Sequence, residues 1–211
     1  MTAVHLLAAL LAILLGARYC MRQSQPLFFK ILLFACASEF LGALAESCWL
    51  LVFGVAPTGF HVGYLGYMGA WFFLFSSYFG AIDRLADGGE AIYRPYRLIA
   101  LLAPATVFGL TGWSLVQYGV VTCLPLLLLA LPLGLTCYFA LKHLLLPDVE
   151  LGIIRVLRPY NACVIALSLC ETLTLLPDMS GGAIMAARGL FCLLLAAMLP
   201  IANQGVRKWF I

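Results

Sequence analysis

The sequence predicts an all-α membrane protein, a polytopic helical bundle of about seven transmembrane helices with the N-terminus outside and the C-terminus in the cytoplasm. Three observations lead there. The 211 residues are 64% hydrophobic and only 10% charged, whereas a soluble domain carries about 25% charged residues. The apolar residues come in runs near the length of about 20 that a helix needs to cross the hydrocarbon. The basic residues then fall on one side of successive runs. A soluble fold of this length would leave too much apolar surface facing water. A single transmembrane domain in the cell membrane, with the lipid bilayer as its partner, avoids that. The formal charge of +3 gives no footing for a nucleic-acid partner.

The first apolar run covers 3–18. It does not read as a cleaved signal, because Met1 to His5 lack a basic region and no A-x-A pattern follows. Arg18 and Arg22 come after the run, which suits a retained helix ending in the cytoplasm. The second run covers 27–54, and Ala56-Pro57-Thr58-Gly59 supplies a turn. The third covers 62–82. The loop 83–97, DRLADGGEAIYRPYR, mixes charge signs and reads as a solvated loop on which a cytoplasmic protein partner would dock.

No charged residue occurs from Leu98 to Leu141. As one helix that stretch would be roughly 66 Å long, about twice the hydrocarbon thickness. The polar break Gln117-Tyr118-Gly119 therefore divides it into spans at 98–116 and 120–141. Pro104, Pro125 and Pro132 are expected to kink them, as membrane helices tolerate. The segment DVELGIIRVLR reads equally as an interfacial helix or as an extension of the next span. That span covers 159–177, with Pro159 suited to the first helical position. A turn at 178–182 leads to the last span, 183–203.

Orientation follows from lysine and arginine placement. With the N-terminus outside, cytoplasmic segments hold Arg18, Arg22, Lys30, Arg84, Arg94, Arg97, Lys142, Arg155, Arg158, Arg207 and Lys208, which is 11 of the 12 basic residues. The exception, Arg188, lies inside the last span.

Ionisable groups in hydrocarbon cost about 2.5–3.5 kcal/mol on insertion scales and usually face the bundle interior. Four stand out: Glu39, Glu46, Glu171 and Arg188. Glu39 and Glu46 share a face with Ala35 and Gly42, small residues that let helices approach. Asn161, Ser168, Glu171 and Thr172 form a polar stripe on the sixth helix. Counting rise from the span centres puts Glu46, Glu171 and Arg188 roughly 5–7 Å into the outer half. Arg188 is thus expected to pair with Glu46, Glu171 or both. Two readings compete for this layer, a structural ion pair and a ligand-binding site. Glu39 has no basic residue at its depth and is the candidate proton site. Tyr67 and Trp71, in the glycine-rich GYLGYMGAW, are candidate pocket walls with Asn161 and Ser168, although close packing and an interfacial aromatic belt would also explain them.

The eight cysteines read as small buried thiols, with a disulfide among Cys48, Cys123 and Cys170 as the alternative. His5, His61 and His143 have no metal-ligand spacing with them. The three lysines avoid the last helix, so a retinal Schiff base has no residue to use. HExxH, GxSxG and P-loop patterns do not occur. The expectation is a protein with no cofactor, no metal and no enzymatic activity. Helices one to three and five to seven run in the same directions, and AESCWLL faintly resembles LCETLTLLP. Parallel repeats of this kind occur in some transporters. The leading expectation is a carrier of a small polar solute, with or without proton coupling. The alternative is a seven-helix sensor acting through a cytoplasmic partner.

Overall fold

The computed structural model describes residues 1–21, 26–57, 59–83, 87, 89–147, 153–177 and 179–209. Every regular element among them is helical. These are α1 (Thr2–Cys20), α2 (Leu27–Phe53), α3 (Gly63–Ala81), a 3-10 turn (Ala91–Tyr93), α4 (Arg94–Ala100), α5 (Leu102–Leu145), α6 (Ile153–Leu175) and α7 (Gly181–Trp209). Local chemistry accounts for several boundaries. Gly54 closes α2 in the left-handed conformation at φ 71°, its N–H donating to the Leu50 carbonyl, a conformation that costs glycine little. Pro95 sits in the first turn of α4, where its missing N–H leaves no helical bond unmade.

Among the described residues, four segments are long and apolar enough to cross a membrane: Thr2–Cys20, Leu27–Phe53, Ala91–Leu145 and Gly181–Gly205. Large apolar side chains stand on their outer surfaces, among them Leu14, Leu51, Val121 and Leu193. Exposed apolar surface on this scale marks contact with lipid or a partner. With the composition, it makes the chain an integral membrane protein.

The longest segment is not straight. Gly119 leaves the helical region at φ 78° and ψ 166°. In a straight helix Phe108 and Gly134 would stand about 39 Å apart. Instead, a Cβ placed on Gly134 would lie 2.9 Å from Phe108 Cζ. The chain therefore reverses at Gly119, and α5 is a hairpin of two arms.

Pairwise packing runs α1 on α2, α2 on α3, α3 on α5, α5 on α6, α6 on α7, and α7 back on α1. The result is a closed ring. The second arm of α5 takes the place in it, for Thr136 donates to the Trp71 carbonyl and Phe139 meets Phe75 and Tyr78 of α3. The first arm carries Phe108, Trp113 and Val116 exposed.

The tightest seam is α2 against α3. A Cβ on Gly66 would fall 2.5 Å from the Gly42 amide nitrogen and 2.7 Å from the Ser38 carbonyl. Only glycines permit two backbones to approach so closely.

One sequence expectation changes, and one of two open readings is selected. Pro159 lies inside α6 rather than at its start. Buried Leu157, Tyr160 and Asn161 flank it, and packing against neighbours holds the turn despite the lost hydrogen bond. The segment 153–158 accordingly extends α6 instead of lying as a separate interfacial helix; residues 148–152 are outside the described ones. All eight cysteines are free thiols.

Candidate functional site

The α2–α3 seam brings Glu46 to Tyr67. The Tyr67 hydroxyl donates to Glu46 Oε2 at 2.8 Å. Thr2, at the start of α1, donates to Glu46 Oε1 at 3.2 Å. Arg188 of α7 places Nη1 3.7 Å from the same oxygen, with 39% of its side chain exposed. Three helices thus converge on one carboxylate that is itself only 6% exposed.

Two turns along α2, Glu39 is also buried. The sequence offers no arginine or lysine at its depth, yet it has a basic partner. His5 Nε2 lies 2.9 Å from Glu39 Oε1. The His5 ring stacks on Tyr67 and meets Phe191 edge-on, both at 5.6 Å between centroids. Sequence reasoning treated His5 only as a metal ligand to be rejected. The signal available was a titratable side chain inside an apolar run; what hid it was the pairing, which requires α1 to lie beside α2.

Glu171 and Thr174 of α6, with Tyr64, complete a cavity of about 30 Å³ bounded by His5, Glu46, Tyr67, Arg188, Phe191 and Cys192. That volume admits water and is too small for an organic solute in this state. Among the described residues, no hydrogen-bond donor or cation reaches the Glu171 carboxylate; only its backbone carbonyl is engaged, by Thr174. A second cavity of about 10 Å³ lies deeper, bounded by Glu39, Trp71, Phe191, Leu195 and Met198 among others. Trp71 belongs to this deeper space. Its indole Nε1 is buried with no hydrogen-bond partner among the described residues, a costly state for a donor.

Asn161 and Ser168 lie elsewhere. Asn161 accepts from the Tyr78 hydroxyl at 3.0 Å, and the neighbouring Tyr160 hydroxyl is 3.2 Å from Ser77 Oγ. Ser168 donates to the Val164 carbonyl in its own helix. The stripe they share with Glu171 is a long one. Asn161 sits about 15 Å along α6 from Glu171, so one face serves both ends of the bundle.

At the far end, the loop 83–97 is strapped to α5. Asp83 pairs with Lys142 and lies 3.1 Å from His143 Nε2. Asp87 accepts from Arg97 at 2.5 and 2.8 Å and from Lys142 at 3.3 Å. Burial would raise the Asp83 carboxyl, but hydrogen bonds from His143 and Lys142 outweigh it and hold the group below the ordinary carboxylate range. The Arg97 guanidinium draws Asp87 down to about 2. Lys142 is 3% exposed. These side chains turn inward and pair, whereas the sequence suggested a solvated loop. Arg84 is outside the described residues.

No cluster of His, Cys, Asp or Glu suited to a metal ion occurs among the described residues. No protein-family model matches the chain, and no curated protein or solved structure is found similar to it.

Proposed function

We propose that this protein is a seven-span carrier of a small polar solute, with its N-terminus outside and its solute site in the cavity between Glu46, Glu171 and Arg188. The observation that carries the reading is the surplus carboxylate. A structural ion pair would use one acid and one base. Here Glu46 already has Arg188, Tyr67 and Thr2, while the Glu171 carboxylate faces the same cavity with no hydrogen bond or close ion pair among the described residues. A half-buried carboxylate left over in this way is a ready acceptor for a solute. The excess of acid over base, together with the aromatic walls of Tyr64, Tyr67 and Phe191, favours a solute bearing an ammonium or amidinium group.

The architecture is consistent with that use. In the ring, α2 and α6 stand opposite each other, and each carries one of the two glutamates. Three helices on either side of a peripheral connector is the pattern of parallel repeats with a substrate site between them. The hairpin at Gly119 supports two crossings within Ala91–Leu145. The basic residues support the N-terminus outside. The paired loop at the Lys142 end reads as a closed cytoplasmic gate, and the cavity near Met1 as an occluded site close to the outside. This carrier has no enzymatic step.

Uptake into proteoliposomes tests the reading, using a radiolabelled panel of amines, amino acids and sugars with and without a pH gradient. At least one amine-bearing solute is expected to enter, and Glu171→Gln is expected to abolish its uptake. If no panel member moves, and crosslinking through 83–97 recovers a stable cytoplasmic protein, the chain is a sensor instead.

A further inference from the structure

We propose that His5 and Glu39 form the proton-loading pair of this protein, a step that rests on the carrier reading and gives it its coupling ion. His5 belongs to two places at once. It bounds the cavity that holds Glu171 and Arg188, and it hydrogen-bonds Glu39, which bounds the deeper cavity. Phe191 bounds both spaces and packs edge-on against the His5 ring. An imidazole in this position is the polar link between two cavities that an aromatic wall otherwise separates. Histidine suits the task because its two nitrogens let it accept a proton on one side and release one on the other.

The step balances simply. A cavity water, protonated as hydronium, gives a proton to His5. The Nε2–H bond breaks as an O–H bond forms at Glu39 Oε1, and the imidazole is left neutral with its proton on Nδ1. Glu39 becomes a neutral carboxyl. A water in the deeper cavity then accepts from the orphaned Trp71 Nε1 and from the Glu39 carboxyl, which satisfies a donor that otherwise has no partner. Groups facing His5 come from every neighbouring helix: Glu39 and Glu46 on α2, Tyr64 and Tyr67 on α3, Glu171 on α6, Arg188 and Cys192 on α7. Arg188 is the only permanent cation among them, and it is spoken for by Glu46.

Two measurements test the pair separately from the carrier. In vesicles with an entrapped pH dye, each panel solute is added outside. Wild type should carry protons inward with the solute. Glu39→Gln, which lies outside the solute cavity, should lose that proton flux by about 100-fold or more, the lower end of what a placed acid–base group supplies, while the same solute still equilibrates downhill. Persistent proton flux in Glu39→Gln overturns the proposal. The second measurement needs no solute. Infrared difference spectra on acidifying the lipid-reconstituted protein should show a protonated-carboxyl C=O band that Glu39→Gln removes. If no solute moves, the carrier reading fails, and this band alone decides the pair: its loss in Glu39→Gln retains the proton site, and its survival unchanged overturns it.

Discussion

Arg188 and Tyr67 both reach Glu46, but they do so in different ways. The Tyr67 hydroxyl is buried and close, at 2.8 Å. Arg188 is 3.7 Å away and two-fifths exposed, at 39%. A hydrogen bond to a charged group contributes about 1.5–3 kcal/mol, while a half-exposed ion pair contributes little. Tyr67→Phe should therefore lower thermal stability in detergent by an amount in that range. Arg188→Ala should leave stability nearly intact and reduce solute uptake by roughly tenfold, a loss of about 1.4 kcal/mol in transition-state or solute binding. Equal stability losses in the two variants would assign Arg188 a packing role only. The meeting of Glu46 with Arg188 was legible in the sequence because depth can be counted along a helix at 1.5 Å per residue. The partnership of His5 with Glu39 was not. His5 lies in line with the small buried residues Ala9, Ala12 and Gly16 of α1, a stripe that marks an inward face but does not show which helix that face meets.

Helix pairs are set by a few small residues. Gly42 and Gly66 lie where α2 and α3 touch through their backbones, and a Cβ on Gly66 would meet main-chain atoms at 2.5 Å. Backbone cannot step aside as a flexible side chain can. Gly66→Leu should part the two helices, pull Tyr67 from Glu46 and remove uptake. Gly189→Ala, whose Cβ would meet open space, should do neither. If Gly66→Leu retained full uptake and stability, the seam would not position the site. The loop strap offers a second element-scale prediction. Asp87 ionises at about 2 when folded, against an ordinary 3.8. A carboxyl with a depressed folded value contributes stability above its unfolded value and loses it as pH falls through the folded one. Asp87→Asn should thus cost a constant amount, about 1–3 kcal/mol, above pH 4. The difference from wild type should shrink as pH falls from about 4 to 2. Thermal unfolding of both proteins across that range measures it. A gap that stayed constant down to pH 2 would mean that Arg97 and Lys142 do not hold Asp87 charged. Helix existence and most helix ends were readable from apolar run length and from Gly and Pro. The strap was not, since its partners Asp83 and Lys142 are far apart in sequence and meet only because α3 lies beside the second arm of α5.

For the molecule as a whole, the ring is a matter of which helices neighbour which, and apolar runs carry no such information in lipid, where every outward face looks alike. What sequence does supply is the asymmetry of its basic residues and the reversal demanded by an overlong apolar stretch. These two features make a joint prediction that separates seven crossings from fewer. Single cysteines are placed at Phe60, Glu90, Val120 and Pro147, all exposed, with Val120 beside the Gly119 reversal and the other three outside helices, in a protein whose native cysteines are replaced. A membrane-impermeant maleimide is then applied to intact cells and to permeabilised ones. If Gly119 turns the chain back at the outer surface, Phe60 and Val120 should label in intact cells. Glu90 and Pro147 should label only after permeabilisation, and both must behave alike, because two crossings return the chain to its starting side. If Ala91–Leu145 crossed once, Glu90 and Pro147 would label from opposite sides. Labelling of Glu90 and Pro147 but not Phe60 in intact cells would invert the orientation. The solute cavity would then open toward the cytoplasm, and the charged strap formed by Asp83, Asp87, Arg97 and Lys142 would be the outer gate.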